Sequence, residues 1–250
     1  MHSYYWRGGE LSDPRLARAH DELASADLAK NRVDSLLLLL RSADPVAVGI
    51  ALDHYRSAQS TSRMGTENPF ADCSEEILQV ARRVLNQPPS AAEMSPFTGE
   101  GANHASALYA MTSLAEPEDA GLLLRILQSS TNPEVRNVAL AVARETVWQS
   151  ETPDPALISL LREIALNTGE RYDERVRAIG ALGSARTEEA ISTLRAATED
   201  EDLRIQAHSA HELAEEDLLE QYRPFLEHLV STWPEDAPFP ASEVRYALDE

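Results

Sequence analysis

Apolar residues recur at intervals of three and four positions along most of the chain, a spacing that places them on one face of an α-helix. Five such sets stand out: Leu36, Leu37 and Leu40; Ile77, Ala81, Val84 and Leu85; Ala120, Leu123, Leu124 and Leu127; Leu157, Leu160, Leu161 and Ile164; and Ala190, Ile191, Leu194 and Ala197. No segment shows sustained two-residue alternation bounded by turn signals, so we predict no sheet. The pattern predicts an all-α fold.

A second kind of segment alternates with these helices and repeats along the chain. Aligned without gaps, the copies beginning at Asp44, Asn132, Asp173 and Asp200 read DPVAVGIA, NPEVRNVA, DERVRAIG and DEDLRIQA. Asp or Asn in the first position accepts hydrogen bonds from free amides at a helix start, and Pro is tolerated in the second. The eighth position is small in every copy, which lets a neighbouring helix approach closely. Each copy is therefore predicted to begin the second helix of a hairpin.

The fifth position of the repeat is arginine in three of the four copies, as Arg136, Arg177 and Arg204. A further copy, EGANHASA beginning at Glu100, has His104 at this position. With first helices expected near residues 27, 75, 118, 154, 187 and 217, the chain forms about six helical hairpins. We expect one domain over residues 1–250, with a cap segment at 1–26, stacked hairpins at 27–231, and a Pro-rich loop with a capping helix at 232–250.

This organisation resembles the HEAT-repeat family, and especially the short bacterial HEAT-like repeats of the phycobilisome-lyase type. The motifs that carry the resemblance are LAEPEDA at residues 114–120, followed by NPEVR at residues 132–136. The resemblance implies a right-handed α-α superhelix, or solenoid, with the second helices on its concave face. Two departures are that the Asp44 copy lacks the arginine and that the later repeats are shorter than the ~40 to 47 residues usual for such units.

The acidic charge of the chain limits which classes of binding partner are expected. A 43% hydrophobic and 26% charged composition is typical of a globular protein, and the formal net charge is -20. Residues 1–125 carry 11 basic and 17 acidic residues (net -6), and residues 126–250 carry 11 and 25 (net -14). Such a surface disfavours nucleic acids and anionic membranes but permits a basic protein partner.

The location of the protein is predicted from what its sequence lacks. The longest aliphatic run, residues 36–40, is far shorter than the ~20 residues that a membrane span requires, and no targeting segment is recognised at the amino terminus. Cys73 is the single cysteine, so it can form no internal disulfide. We expect a soluble, cytoplasmic protein.

Two sets of residues are candidates for partner binding. The first lies in a loop at residues 59–74, where the stretch SRMGTENPF is expected to display Arg63, Glu67, Asn68 and Phe70 for recognition while contributing little to folding. A second long loop is expected at residues 87–101. The other set is the repeated polar position of the second helices, a ladder formed by His104, Arg136, Arg177 and Arg204.

Catalytic and metal chemistry receive little support. His208, His211 and Glu212 share one helix face and are the best metal candidates, but their spacing is not HExxH. A His-Glu pair in a HEAT helix is similar to the metal-binding pairs of deoxyhypusine hydroxylase, a diiron enzyme that needs several such pairs, whereas His211-Glu212 is the only one in this chain. We expect no metal, no cofactor and no catalytic residue.

These observations favour a non-catalytic scaffold that binds another protein through its concave face and the loops of its amino-terminal half. Three alternatives stay open: an acidic decoy or immunity-type inhibitor of a basic protein, a metal-dependent HEAT enzyme, and a lyase-like enzyme. The partner and the oligomeric state are left open by the sequence.

Overall fold

The computed structural model describes residues 5–6, 9–25, 29–62, 67–89 and 102–249. These residues form thirteen α-helices with two short 3₁₀ turns, at Ala71–Cys73 and Pro117–Asp119. The helices are α1 (Pro14–Ala24), α2 (Ala29–Leu40), α3 (Pro45–Ser62), α4 (Ser74–Leu85), α5 (Ala102–Met111), α6 (Ala120–Ser129), α7 (Pro133–Trp148), α8 (Pro155–Leu166), α9 (Tyr172–Ala185), α10 (Glu188–Ala197), α11 (Leu203–Leu213), α12 (Glu216–Ser231) and α13 (Ala241–Asp249). The all-α prediction is confirmed, and the six predicted hairpins correspond to the helix pairs from α2–α3 to α12–α13.

One short antiparallel ladder precedes the helices. Two strands of two residues each, β1 (Tyr5–Trp6) and β2 (Gly9–Glu10), pair with Tyr5 opposite Glu10 and Trp6 opposite Gly9. The prediction of no sheet is wrong for this segment, because strands of two residues are too short to show an alternating pattern.

The chain divides into two compact units. Unit 1 comprises residues 1–115 and 129–142, and unit 2 comprises residues 116–128 and 143–250. The boundary crosses α7, whose first ten residues belong to unit 1 and whose last six belong to unit 2. No helix among the described residues combines the length and the apolar character needed to cross a membrane.

Unit 1 is built around α3. This helix packs against α2 and α5, while α1 packs on α2 and α4 packs on α5. Its core includes the fully buried side chains of Leu36, Leu40, Ile50 and Tyr55. The hydrophobic faces predicted for α2 and α4 thus lie in the interior, as their three-and-four spacing requires, except that Leu37 is half-buried.

Unit 2 arranges its hairpins in two layers. The second helices α9, α11 and α13 pack side by side in one layer, and the first helices α8 and α10 pack together in the other. Within each hairpin the two helices also contact each other, as α8 with α9, α10 with α11 and α12 with α13. The layer of second helices, α9, α11 and α13, is called the inner layer below.

The small eighth position of the repeat lies in the interior. Ala51, Ala139 and Ala207 are 0% exposed and Gly180 is buried. Larger side chains at these positions would push neighbouring helices apart. The small-residue pattern is therefore a packing signal.

The first position of the repeat begins a helix in two of the copies. Oδ1 of Asp44 accepts a hydrogen bond from the amide of Val46 at 2.9 Å, and Oδ1 of Asn132 accepts one from the amide of Glu134 at 2.9 Å. Pro45 and Pro133 follow these two capping residues, and α3 and α7 begin at the prolines, as predicted.

The other two described copies start differently. Helix α9 begins at Tyr172, one residue before Asp173, and α11 begins at Leu203 with Asp202 as its cap. The prediction that Asp200 begins a helix is wrong, because one of its carboxylate oxygens pairs with Arg175 and the other accepts the amide of Asp202 at 2.9 Å. The fifth copy begins at Glu100, which lies outside the described residues.

Candidate functional site

Four side chains on the inner layer of unit 2 come together at its surface. Tyr172 is the first residue of α9, Arg204 and His208 lie one turn apart on α11, and Phe239 lies in the loop before α13. Residues four apart on a helix share one face, so Arg204 and His208 project on the same side of α11. These four residues are called the aromatic-arginine patch below.

Tyr172 is the centre of the patch. The guanidinium carbon of Arg204 lies 4.2 Å from the centroid of the Tyr172 ring, within the range of a cation-π contact. Nε2 of His208 lies 3.2 Å from the Tyr172 hydroxyl, and the centroids of their rings are 6.3 Å apart. On its other side, the His208 ring meets the ring of Phe239 edge to face, with centroids 6.3 Å apart.

Hydrogen bonds hold the parts of the patch in place. Asp202 accepts from Nε of Arg204 at 3.0 Å and from Nη2 at 2.6 Å, which orients the guanidinium group over Tyr172. The loop that carries Phe239 is tied to α11 by the indole of Trp233, which donates to Oε1 of Gln206 at 3.1 Å. The patch is therefore largely preorganised.

A second tie holds the same loop from α13. Arg245 donates to the carbonyl oxygens of Pro234 at 2.7 Å and Glu235 at 3.0 Å. The loop is therefore tied to both α11 and α13 through residues 233–235, which precede Phe239.

The aromatic members of the patch are accessible to solvent. Phe239 is 68% exposed and Tyr172 is 36% exposed. On α13 of the same layer, Tyr246 is 63% exposed. Exposed aromatic side chains backed by fixed polar groups are characteristic of protein-binding surfaces.

The charge state of the patch follows from its contacts. The hydrogen bonds from Arg204 lower the pKa of Asp202, and those to Asp202 raise the pKa of Arg204. Burial, together with the nearby His211, lowers the pKa of His208, so its imidazole is neutral at pH 7. Burial also raises the pKa of Tyr172, which stays a neutral phenol. The patch thus carries one compensated ion pair and three neutral rings.

The loop predicted at residues 59–74 is shorter in the structure. Residues 59–62 belong to α3, and Arg63 lies outside the described residues. Glu67 is exposed, whereas Oδ1 of the half-buried Asn68 accepts the amide of Phe70 at 2.9 Å and forms a local turn. Glu67 and Asn68 stay candidates for partner binding.

The expectation that Phe70 is displayed for recognition is wrong. Its side chain is 1% exposed, and the guanidinium carbon of Arg32 lies 5.8 Å from its ring centroid. Burying a phenylalanine side chain is favourable in free energy, because its apolar surface leaves water, and the turn at Asn68 directs the side chain inward. The segment therefore contributes to the core of unit 1. The second predicted loop, at residues 87–101, lies mostly outside the described residues.

The predicted ladder divides between the two units. In unit 1, His104 is 8% exposed, and its Nε2 donates to the carbonyl oxygen of Gln87 at 2.9 Å, while Arg136 is half-buried. In unit 2, Arg177 and Arg204 are exposed, and Arg204 belongs to the aromatic-arginine patch. Burial makes His104 a structural contact between α5 and the end of α4.

A pair of histidines lies in unit 1. His54 Nε2 and His20 Nδ1 are 3.4 Å apart, and burial lowers the pKa of His54 to about 4, with further lowering by His20 and Arg32. Burial also lowers the pKa of His20. Both rings are therefore neutral at pH 7, which suits a buried contact between α1 and α3.

The metal candidates on α11 have separate surroundings. His208 contacts Tyr172 and Phe239, whereas Glu212 packs over Gly183 of α9, near Arg144 and Arg186. In the described ranges, no three His, Cys, Asp or Glu side chains are grouped so that they could hold a metal ion. The absence of a bound metal stays a prediction.

Sequence reasoning missed a buried ion pair of unit 2. Arg175 and Asp200 pair with side chains 6% and 10% exposed, and Nε of Arg175 also donates to the carbonyl oxygen of Ala165 at 3.0 Å. The signal was present as Arg175 at the third position of its copy, two residues before Arg177. Tyr172 and Phe239 were also missed, since neither belongs to a repeated position.

Comparison with known proteins identifies the repeats of unit 2. Residues 150–237 match the family model of HEAT repeats, a range that contains α8–α12 and three members of the patch. No curated protein matches the chain. Residues 150–237 are therefore HEAT repeats, and the consecutive helical hairpins and small buried repeat positions of the chain are consistent with that family.

Proposed function

We propose that this protein is a non-catalytic scaffold that binds another protein, and that the inner layer of unit 2 is its docking surface. The observation that supports this most is the aromatic-arginine patch, with Phe239 68% exposed beside Tyr172 and Arg204. HEAT repeats generally mediate protein-protein interaction, and stacked repeats offer broad surfaces for it.

The composition of the patch suits a binding hot spot. Tyrosine and arginine are enriched among the residues that dominate binding energy, and aromatic rings lose little conformational entropy when they are covered. Asp202, Gln206 and Trp233 already fix the patch, so a partner would order few side chains on binding.

The charge of unit 2 indicates the partner's chemistry. Its residues include 27 acidic and 11 basic side chains, a formal net charge of -16, against 15 and 11 in unit 1, or -4. A strongly acidic surface attracts basic proteins over a distance and raises their association rate. We infer a partner with a basic surface and an apolar or aromatic group that covers Tyr172 and Phe239.

The test is affinity capture from the native host with the full chain as bait, followed by mass spectrometry. A double variant, Tyr172→Ala with Phe239→Ala, should lose the partner that the wild type retains. Trp148→Ala is the matched control, because Trp148 is 67% exposed in unit 2 but lies outside the patch. Capture that survives the double variant, or that fails equally in the control, would remove the patch from the proposal.

The charge of unit 2 also favours a second candidate, an acidic decoy or inhibitor of a basic protein. A decoy that acts through charge should release its target as salt is raised and should tolerate loss of the two aromatic side chains. A scaffold that uses the patch should keep its partner at moderate salt and lose it when the two aromatic side chains are removed. Repeating the capture across a salt series with the double variant therefore separates the two functions.

A further inference from the structure

We propose that unit 1 binds a small organic carboxylate with an apolar body, in a cavity between α3, α4 and α5. The cavity has a volume of about 470 Å³, within the ~300–1,000 Å³ of typical small-molecule sites. Such sites have mostly apolar walls with a few polar groups that orient the ligand. This cavity has both parts, and it lies within a different unit from the aromatic-arginine patch.

The apolar part of the cavity is formed by two helices. Val48 and Leu52 lie one turn apart on α3, and Val84 lies in the last turn of α4. These side chains are 7%, 1% and 9% exposed. A hydrocarbon chain placed against them would be removed from water, which favours binding by roughly 0.8 kcal/mol for each CH₂ group that is buried.

The polar part of the cavity contains two arginines with different roles. Arg41 is held by Glu76, whose two carboxylate oxygens accept from its Nε and Nη2 at 2.7 Å each. Arg83 lines the same cavity and is exposed; its charge acts on Glu76, but within the described residues no carboxylate forms an ion pair with it. A ligand carboxylate can therefore bind Arg83 without displacing an existing partner.

The backbone around the cavity also favours an anion. The amino-terminal end of α5 borders the cavity at Asn103, and a helix amino terminus carries a partial positive charge. The end of α4 would oppose this, but His104 donates to the carbonyl oxygen of Gln87, and the Asn86 side chain donates to that of Arg82 at 2.8 Å. These bonds reduce the negative potential that the end of α4 presents.

The test is isothermal titration calorimetry of the full chain with octanoate, 1-octanol and acetate. Octanoate has both the charge and the chain, and each of the others has only one of them. Octanoate should saturate one site per chain, with an affinity at least about tenfold above that of either other probe. No saturable binding of octanoate in the millimolar range, or equal binding of octanol, would overturn the proposal.

Two variants locate the site. Arg83→Gln should weaken octanoate binding by about tenfold to a hundredfold, because it removes hydrogen bonds to a charged group, and should leave octanol binding unchanged. Arg18→Gln, at an exposed arginine of α1, is the matched control and should change neither. Far-UV circular dichroism verifies that both variants are folded. Equal octanoate binding by Arg83→Gln, or its equal loss in Arg18→Gln, would contradict the assignment.

A third variant distinguishes binding inside the cavity from binding on the protein surface. Ala43 is exposed at the cavity wall, so Ala43→Trp can narrow the opening without changing the core. It should weaken octanoate and octanol together while helicity is unchanged. Unaltered octanoate binding in this variant would place the ligand outside the cavity and overturn the proposal.

Discussion

Glu212 should make the protein less stable at alkaline pH. The Cβ that Gly183 lacks would lie 1.9 Å from Oε2 of Glu212, so the carboxyl group occupies the space that the glycine leaves. Burial raises the pKa of Glu212 from 4.5 to about 7, with Glu215 adding to the effect while Arg144 and Arg186 oppose it. At ~1.4 kcal/mol per pKa unit, the ionised carboxylate costs the folded state about 3 kcal/mol.

The sign of the pH dependence follows from this raised pKa. At about pH 8, Glu212 is ionised in both the folded and the unfolded chain, so the folded state bears the full cost of burial. As the pH falls through 7, the folded chain takes up a proton while the unfolded chain stays ionised until about pH 4.5. The stability contributed by this group is therefore present below pH 4.5 and lost as the pH rises through 7.

Glu212→Gln removes the charge with little change of shape. We expect the variant to be more stable than the wild type by about 3 kcal/mol near pH 8 and equal to it near pH 4.5. Urea unfolding, followed by circular dichroism at several pH values, measures the difference. Glu227→Gln, at an exposed position of α12, should show no such trend. A Glu212→Gln variant that is less stable than the wild type at pH 8 would refute the reasoning.

Three further experiments test the packing. Phe70→Ala should lower the free energy of unfolding by about 3 to 5 kcal/mol because the side chain is 1% exposed, and an unchanged urea midpoint would contradict its burial. Arg175→Met should cost about 3 to 5 kcal/mol by leaving the buried Asp200 without its partner, and adding Asp200→Leu should recover most of the loss in thermal unfolding. Ala139→Leu should destabilise the folded protein by about 1 to 3 kcal/mol in thermal unfolding, because a larger side chain overpacks a buried helix contact. A neutral result would mean that this position is not at a helix contact.

The helices were predictable where their signals are local. Asp44-Pro45 and Asn132-Pro133 each supply a cap and a proline that act on the next few residues, so α3 and α7 begin where the sequence indicates. Asp200 carries the same residue type, but its partner is Arg175, 25 positions earlier in the chain. A cap pattern contains no information about such a distant partner, which is why the start of α11 was misplaced.

The candidate site was only partly predictable for a related reason. The repeat identified Arg204, because its position recurs, but the patch depends on which side chains of other elements face it. Tyr172 begins α9 and Phe239 lies in an irregular loop, so neither has a periodic signal. Phe70 was predicted to be exposed but is buried. Its neighbours Asn68 and Pro69 are typical of a surface loop, and the sequence does not show which helices cover the ring.

The buried pair of Arg175 and Asp200 has a consequence for how this protein can be divided. Arg175 of α9 binds both the end of α8 and the turn that precedes α11, so its contacts cross from one hairpin to the next. Repeat arrays are commonly shortened, extended or recombined at hairpin boundaries, as though each hairpin were an interchangeable part. A chain ended at residue 199 would keep the guanidinium group and lose its carboxylate. The hairpins α8–α9 and α10–α11 therefore have to be kept or replaced together, because any exchange between them has to transfer both charges.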